Sequence, residues 1–186
     1  IDKNGQVIGG RRFMGLFTSS VYTQSPFDIP ILRNKAKCVV EKSGFDSSSH
    51  NGKELHHILD MYPRDELFHT DVDQLTKVAV GILNIQERRR TQIFIRQDQL
   101  GKFLSCMVYV PRDLYNTELR QKMQNILVEA FAPQDVEFTT FFSESTLSRT
   151  LFVLRLDPKR TLDFDLHRIE KNIQAVARSW QDDLMS

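Results

Sequence analysis

The chain has 186 residues, of which 40% are hydrophobic and 26% charged, as in an ordinary soluble globular protein. Lysine and arginine total 25 and aspartate and glutamate 24, so a net charge of +1 argues against a nucleic-acid-binding or membrane-surface protein. No apolar run approaches the roughly 20 residues that cross a bilayer. We therefore expect a cytoplasmic protein with one sizeable core or two small ones.

The N-terminus and the two cysteines give further information about the class of protein. The chain begins at Ile1 without a basic or apolar leader, so we expect no signal peptide and a piece of a longer polypeptide. Cys38 and Cys106 lie far apart among apolar residues, and neither belongs to a CxxC pair. Both are expected to be reduced, buried thiols.

The first half of the chain predicts one strand followed by helices. "RRFMGLFTS" (11–19) alternates with apolar residues on both faces, which predicts a strand covered on both sides. A helix is predicted over 25–44, with Pro30 in its first turn and Gly44 at its end. A short helix over 53–62, a further turn and a long helix over 71–86 follow, the last capped by Thr70 or Asp71.

The second half predicts four strands and two helices. "TQIFIRQ" (91–97) and "FLSCMVYV" (103–110) are separated by "DQLGK", a loop length that fits a hairpin. Beyond them the pattern predicts a helix over 116–131, strands over 136–143 and 149–156, and a last helix. That helix has an apolar stripe from Leu166 to Trp180, with Asp163 and Asp165 in its first turn.

These elements predict an α+β fold with a mostly antiparallel sheet backed by helices. From Phe103 the order is βαββα, a ferredoxin-like unit that lacks its final strand. That strand either lies beyond Ser186 or is replaced by a mixed sheet of another design. The expected division is a segment of strand, helices and hairpin over 1–101 and the βαββα unit over 102–186. The alternative is one continuous α+β domain over 10–182.

The sequence contains no recognisable catalytic, dinucleotide or metal motif, so no catalytic, cofactor-binding or metal residue is predicted. His56 and His57 are adjacent on a predicted helix and point about 100° apart, so they cannot hold one ion together. The strand face of Phe103, Ser105, Met107 and Tyr109 has a serine where an RNA-binding sheet carries its central aromatic residue. We expect neither RNA binding nor catalysis in this segment.

The arginine run before the first hairpin strand has two interpretations. Arg88, Arg89 and Arg90 follow a helix, where cations are favoured by the dipole alone. If the ends of neighbouring strands lie close together, these arginines would form a site for a carboxylate or phosphate. The candidate anion or effector site then comprises Arg88, Arg89, Arg90, Arg96 and Arg112, with Arg11 and Arg12 as further contributors.

Several long blocks resemble one protein family in order from about Gly10 to Trp180. They are "GLFTSSVY", "SGFD", "LDMYPRDELF", "ERRRTQIFIRQDQLGKFLSCMVYVPRDLYNTELR" and "LVEAF…VEFTTFFSES". They resemble the N-terminal half of the large bacterial NAD-specific glutamate dehydrogenases. The resemblance implies ACT-like and PAS-like regulatory modules that contribute to oligomer contacts, with NAD and the catalytic residues held elsewhere in the parent chain. Residues 1–101 would then be a PAS-like or helical regulatory part, and residues 102–186 the ACT-like unit.

Two hypotheses follow from the resemblance. In the first, the chain is a non-catalytic regulatory and oligomerisation segment of such a dehydrogenase, in contact with the rest of its own polypeptide and with other copies. In the second, it is an autonomous ACT-type domain that senses an amino-acid effector. Neither hypothesis requires a nucleic acid or a membrane as partner.

Overall fold

The structure is a computed structural model that describes Gly9, Gly15, Leu16 and residues 18–143, 145–157 and 164–185, the last seven without their side chains. Five helices come first in these residues: α1 Ser19–Thr23, α2 Leu32–Ser43, α3 His50–Met61, α4 Arg64–His69 and α5 Val72–Arg88. The sheet and its two helices follow: β1 Gln92–Gln97, β2 Phe103–Pro111, α6 Thr117–Phe131, β3 Asp135–Phe142, β4 Leu147–Arg155 and α7 Leu166–Met185.

The four strands form one antiparallel sheet in the order β1-β2-β4-β3. The βαββα unit of β2, α6, β3, β4 and α7 is present as predicted. In the complete ferredoxin-like plan, the last strand lies antiparallel beside the first. Here β1, which precedes the unit in the chain, lies at that position beside β2. The short loop with Gly101 in a left-handed conformation (φ 68°) fixes this pairing.

Both faces of the sheet are covered by helices. Cys106 and Val108 of β2 pack in one core with α6 and α7, whereas Met107 and Tyr109 pack in a second core with helices α2 to α5. The seven consecutive residues Leu104–Val110 are therefore buried. A strand covered on both faces is expected to read as a continuous apolar run, as this one does. Helices α2 to α5 form what we call the helical layer. They cover the sheet face of Met107 and Tyr109, which is the face compared above with that of RNA-binding sheets.

Local capping signals set several of the helix ends. The side chain of Asp71 accepts a hydrogen bond from the backbone N–H of Gln74 (2.8 Å) and caps α5, as predicted. Gly44 ends α2 with a φ of 73°. α3 begins at His50, earlier than predicted, because the Ser49 side chain accepts the N–H of Gly52 (3.0 Å). α2 begins at Leu32, so the prediction of Pro30 inside its first turn is wrong.

The predicted strand over 11–19 is wrong for the residues that the structure describes. Gly15, Leu16 and Thr18 belong to no regular element, and α1 begins at Ser19. The side chain of Leu16 is 96% exposed, so it buries no apolar surface. A strand also needs a partner for its backbone groups, and each described strand is paired within the one sheet. Arg11, Arg12 and Phe17 lie outside the described residues, as do Asp163 and the side chain of Trp180.

The two cysteines differ in burial. Cys106 is fully buried in the sheet, as predicted. Cys38 is exposed, so the prediction of a buried thiol there is wrong. The buried stripe of α2 consists of Leu32, Ala36 and Val39, and Cys38 falls on the other side of that helix. None of the described helices is long and apolar enough to span a membrane.

Candidate binding surfaces

The structure separates the five arginines predicted to share a site. Arg88, Arg89 and Arg90 lie at the C-terminal end of α5, with Arg89 in a left-handed conformation (φ 47°) as its C-cap. The backbone N–H groups of Arg89 and Arg90 both donate to the carbonyl of Ile85. This fixes the backbone where the chain leaves α5 for β1. Only Arg89 and Arg90 of the five line a common cleft.

Arg96 lies on the sheet face that packs against the helical layer. Its Nε and Nη2 donate to Glu66 Oε2 (2.8 Å) and Oε1 (2.7 Å), which makes a bidentate ion pair. The hydrogen bonds that Arg96 donates to Glu66 raise the pKa of Arg96, and burial acts in the opposite direction. Arg96 therefore has Glu66 as a structural partner, and it is not among the residues that line the cleft of Arg89 and Arg90.

Arg112 follows β2 and turns toward β3. Its Nη1 donates to the carbonyl of Ser143 (2.9 Å), and its guanidinium lies 6.0 Å from the ring centre of Phe142. These contacts hold the loop after β3 against the end of β2. Arg112 is therefore engaged with the end of β3 and is not among the residues that line the cleft of Arg89 and Arg90.

The cleft beside the α5–β1 junction has a volume of about 400 Å³. We call it the arginine cleft. It adds a third arginine, Arg178 of α7, that the sequence did not indicate. The register of α7 against β1 places Arg178 there, and no local pattern carries that information. The lining residues are Arg89, Arg90, Thr91, Pro111, Leu114, Gln174, Ala177 and Arg178.

The floor of the arginine cleft is apolar and its walls are tied together. Leu114 and Ala177 are buried beneath it. The side-chain amide of Gln174 donates to the carbonyl of Thr91 (3.1 Å) and lies 3.4 Å from Glu170 Oε1. The first bond joins α7 directly to the start of β1. The cleft thus has a fixed base and an arginine-rich rim.

A second cleft of about 330 Å³ lies between α6 and α7 and carries charges of both signs. Glu129 and Asp165 lie beside Arg168, and Asp165 already accepts the backbone N–H of Arg168 (3.2 Å) at the start of α7. Mixed charge of this kind selects neither an anion nor a cation. This cleft is a weaker candidate than the arginine cleft.

The edge strand β3 carries three exposed aromatic side chains, Phe138, Phe141 and Phe142. One side of β3 pairs with β4, and no other described strand pairs with its outer side. Its residues are exposed or half-buried along the whole length. Unpaired strand edges and exposed apolar side chains are typical of contact surfaces. The aromatic run "FTTFF" was the available sequence signal, and the prediction of that strand did not use it.

Arginines lie over the rings of this edge. The guanidinium of Arg120 is 4.3 Å from the ring centre of Phe138, and that of Arg149 is 4.8 Å from the ring centre of Phe141. Cation–π contacts of this geometry orient the rings without removing them from solvent. The edge therefore presents ordered aromatic side chains.

The histidines and carboxylates within the described residues form no group suited to a metal ion. His56 stacks on Phe27 with ring centres 4.4 Å apart, which gives it a packing role. The Arg64 guanidinium donates to three backbone carbonyls. The acceptors are those of Val21 (3.2 Å), Gln24 (2.8 Å) and Tyr62 (3.2 Å).

An antiparallel sheet of ferredoxin-like strand order, with α6 and α7 packed on one face and an unpaired edge at β3, defines an ACT-like module. Two family models match the chain in adjacent ranges. Residues 29–88 match helical motif 1 of glutamate dehydrogenase, and residues 92–181 match its ACT2 domain. The chain belongs to the NAD-specific glutamate dehydrogenase family, as a segment of a much longer polypeptide.

Three relatives support that assignment, and each is called NAD-specific glutamate dehydrogenase. The chain is 47% identical to the Halomonas elongata protein over 185 residues and 50% identical to the Pseudomonas aeruginosa protein over 186 residues. It is 30% identical to the Mycobacterium tuberculosis protein over 186 residues, which covers 94% of the chain. The chain spans only 11–12% of the length of these relatives.

Proposed function

We propose that this chain is a non-catalytic regulatory and assembly segment of a large, cytoplasmic NAD-specific glutamate dehydrogenase. The parent enzyme would oxidise L-glutamate with NAD and water to 2-oxoglutarate, ammonium and NADH. NAD and the reacting groups would be held by other parts of the polypeptide. The names of the relatives and the two family matches support this proposal.

The unpaired outer side of β3 is the observation that supports a role in oligomerisation. Phe138 and Phe142 point to one face of the sheet and Phe141 to the other, so a partner along this edge would cover all three rings. Burying a phenylalanine contributes about 1.5–3 kcal/mol. An edge can pair with the same edge of a second copy about a two-fold axis, because antiparallel pairing is self-complementary. Other copies of the chain are therefore the proposed partners.

The two matched motifs would act as one three-layer unit. A boundary at 101/102 would divide the β1–β2 hairpin, whereas the two family models meet between residues 88 and 92. Sheet residues Met107 and Tyr109 share a core with the helical layer, which favours the continuous domain over a division into independent parts. Residues 18–88 contain helices and no strand within the described structure, which supports the helical alternative over a PAS-like one.

The proposal is tested by replacing phenylalanines of the β3 edge in the full-length parent enzyme. Phe138→Glu and Phe141→Glu place a charge on each side of the edge and should shift the oligomer to smaller species in light scattering. Leu100→Glu is the matched control, because Leu100 is 70% exposed in the loop at the opposite edge of the sheet. It should leave the oligomer unchanged.

Two results would contradict the proposal. One is an unchanged oligomer in both β3 variants, which would remove the assembly role. The other is glutamate-dependent NAD reduction by the isolated 186-residue chain, which would make the segment catalytic. Full-length β3 variants should keep glutamate-dependent NAD reduction, since no reacting group is assigned to this edge.

A further inference from the structure

We propose that the arginine cleft binds a small polyanion that carries two or more carboxylate or phosphate groups. The site deepens the proposed regulatory function, which supplies its biological context. Its test is direct binding to this chain and needs no activity of the parent enzyme. The two proposals can therefore fail separately.

The charge of the rim is the first argument. Arg89, Arg90 and Arg178 line the cleft, and no carboxylate is among the lining residues that the structure describes. Among residues whose side chains the structure describes, none of the three forms an ion pair. Guanidinium groups pair with carboxylate and phosphate through two parallel hydrogen bonds. Three such groups around one cleft favour a ligand with more than one anionic group.

The C-terminal end of α5 acts in the opposite direction, and its effect is smaller. The end of a helix carries roughly half a negative charge, which disfavours an anion by about 0.3–1 kcal/mol at an exposed position. Part of that charge is neutralised locally, because Arg88 lies in the last turn and the N–H groups of Arg89 and Arg90 cover the carbonyl of Ile85. Three full positive charges at the rim outweigh the remainder.

The shape of the cleft limits the ligand further. A volume of about 400 Å³ lies within the range of small-molecule sites. The buried floor of Leu114 and Ala177 accepts a short carbon skeleton, while Thr91 and Gln174 add polar groups at its side. A free α-amino acid fits poorly, because its ammonium group would face guanidiniums. The nearby carboxylate of Glu170 lies beside the Gln174 amide and does not line the cleft.

The position of the cleft gives binding a structural consequence. Arg89 and Arg90 belong to the link between α5 of the helical layer and β1 of the sheet, and Arg178 belongs to α7 on the opposite face. A ligand held by all three would connect the two helical layers at the end of the sheet. Such a ligand shifts an equilibrium if it binds one arrangement of the layers more tightly than another.

The experiment is calorimetric titration of the purified chain with sodium pyrophosphate and with glutarate, at one fixed low ionic strength. Acetate serves as the monoanion control and L-glutamate as the zwitterion control. The variants are Arg89→Gln, Arg90→Gln and Arg178→Gln. Arg88→Gln is the matched control, because it removes the same charge from the same run but does not line the cleft. All four side chains are exposed, so the variants should fold.

We expect saturable binding of pyrophosphate, glutarate or both, and weaker binding of acetate and L-glutamate. Each cleft variant should weaken binding about tenfold or more, the loss for one charge-assisted contact. Arg88→Gln should change it by less than about threefold, since only screened long-range charge is lost. Preference for pyrophosphate or for glutarate would identify the phosphate or the carboxylate class.

Two outcomes would overturn the site. Absence of binding by both pyrophosphate and glutarate at about 10 mM would exclude the site. An equal loss in Arg88→Gln and in the cleft variants would show non-specific attraction by the basic run. Backbone amide shifts of Thr91 in NMR spectra provide a second measurement, and they should follow the calorimetric affinity.

Discussion

Glu66 and Arg96 form a bidentate ion pair that joins the helical layer to the sheet. Glu66 lies on α4 and Arg96 on β1, and their side chains are only 9% and 16% exposed. The pair sits at the interface that also buries Met107 and Tyr109. A charged pair in such a place fixes the register of the two layers, since a shift of either would leave a charge buried without its partner.

Replacing one partner of this pair should destabilise the chain. Glu66→Gln leaves the largely buried Arg96 guanidinium without its ion-pair partner, and we expect a loss of about 3 kcal/mol in the free energy of unfolding by urea. The double variant Glu66→Leu/Arg96→Met should recover much of that loss, because apolar side chains can fill the space. Equal losses in the single and double variants would show that packing, and not the unpaired charge, is responsible.

Lys35 should contribute to stability as a cap on α4. Its Nζ donates to the carbonyls of Leu67 (2.7 Å), Phe68 (3.0 Å) and Thr70 (2.8 Å). Lys35→Met keeps the aliphatic stem but removes these bonds, and it should lower the free energy of unfolding by about 2 kcal/mol. Lys37→Met, on the exposed side of the same helix, should change it by less than about 0.5 kcal/mol. Similar effects of the two variants would contradict the capping role.

Gly81 should resist substitution because α5 lies close to β1. A Cβ at this position would come within 2.8 Å of Phe94 Cε1 and 3.0 Å of Cζ. The ring is held in edge contact with Tyr109, at 6.0 Å between centres. Overpacking costs about 1–3 kcal/mol, against a gain of about 1 kcal/mol from better helix propensity. Gly81→Ala should therefore lower the melting temperature.

A second substitution separates the effect of overpacking against Phe94 from the effect of helix propensity. Gly81→Ala combined with Phe94→Leu removes the ring atoms that the new methyl group meets. The cost of Gly81→Ala should be smaller in the Phe94→Leu background than in the native chain. A stabilising effect of Gly81→Ala alone would show that α5 does not pack closely on β1.

The two cysteines should differ in their reaction with a thiol reagent at neutral pH. Burial raises the pKa of Cys106, so its reactive thiolate is scarce and inaccessible in the folded chain. Cys38 is exposed and should react at once. Ellman titration should give one fast thiol in the native chain and two in urea, and Cys38→Ser should abolish the fast reaction. A fast thiol remaining in Cys38→Ser would place Cys106 within reach of solvent.

Features with local causes were predicted well. The caps at Asp71 and Gly44, the long amphipathic helix α5 and the hairpin around Gly101 each depend on residues within a few positions of one another. Predictions that depended on which side an element would face were less reliable. Cys38 was expected to be buried because its neighbours are apolar, yet the orientation of α2 leaves it exposed.

The arginine cleft also shows that the sequence does not indicate which side chains of distant elements come together. The sequence indicated Arg89 and Arg90 but joined them to Arg96 and Arg112, which have structural partners of their own. Arg178 was missed, because its place beside Arg90 results from the packing of α7 on the sheet. The resemblance to the dehydrogenase family was detectable in the sequence, since it rests on long blocks in a fixed order.

The sequence by itself determined the longer helices, the four strands of the sheet, the hairpin and the family. These follow from hydrophobic periodicity, capping and turn residues, which act between near neighbours in the chain. Only the tertiary structure decided that β1 takes the place of the last ferredoxin-like strand, and which arginines share a cleft. Strand order and side-chain convergence are set by the burial of both sheet faces at once, and that condition involves residues far apart in the chain.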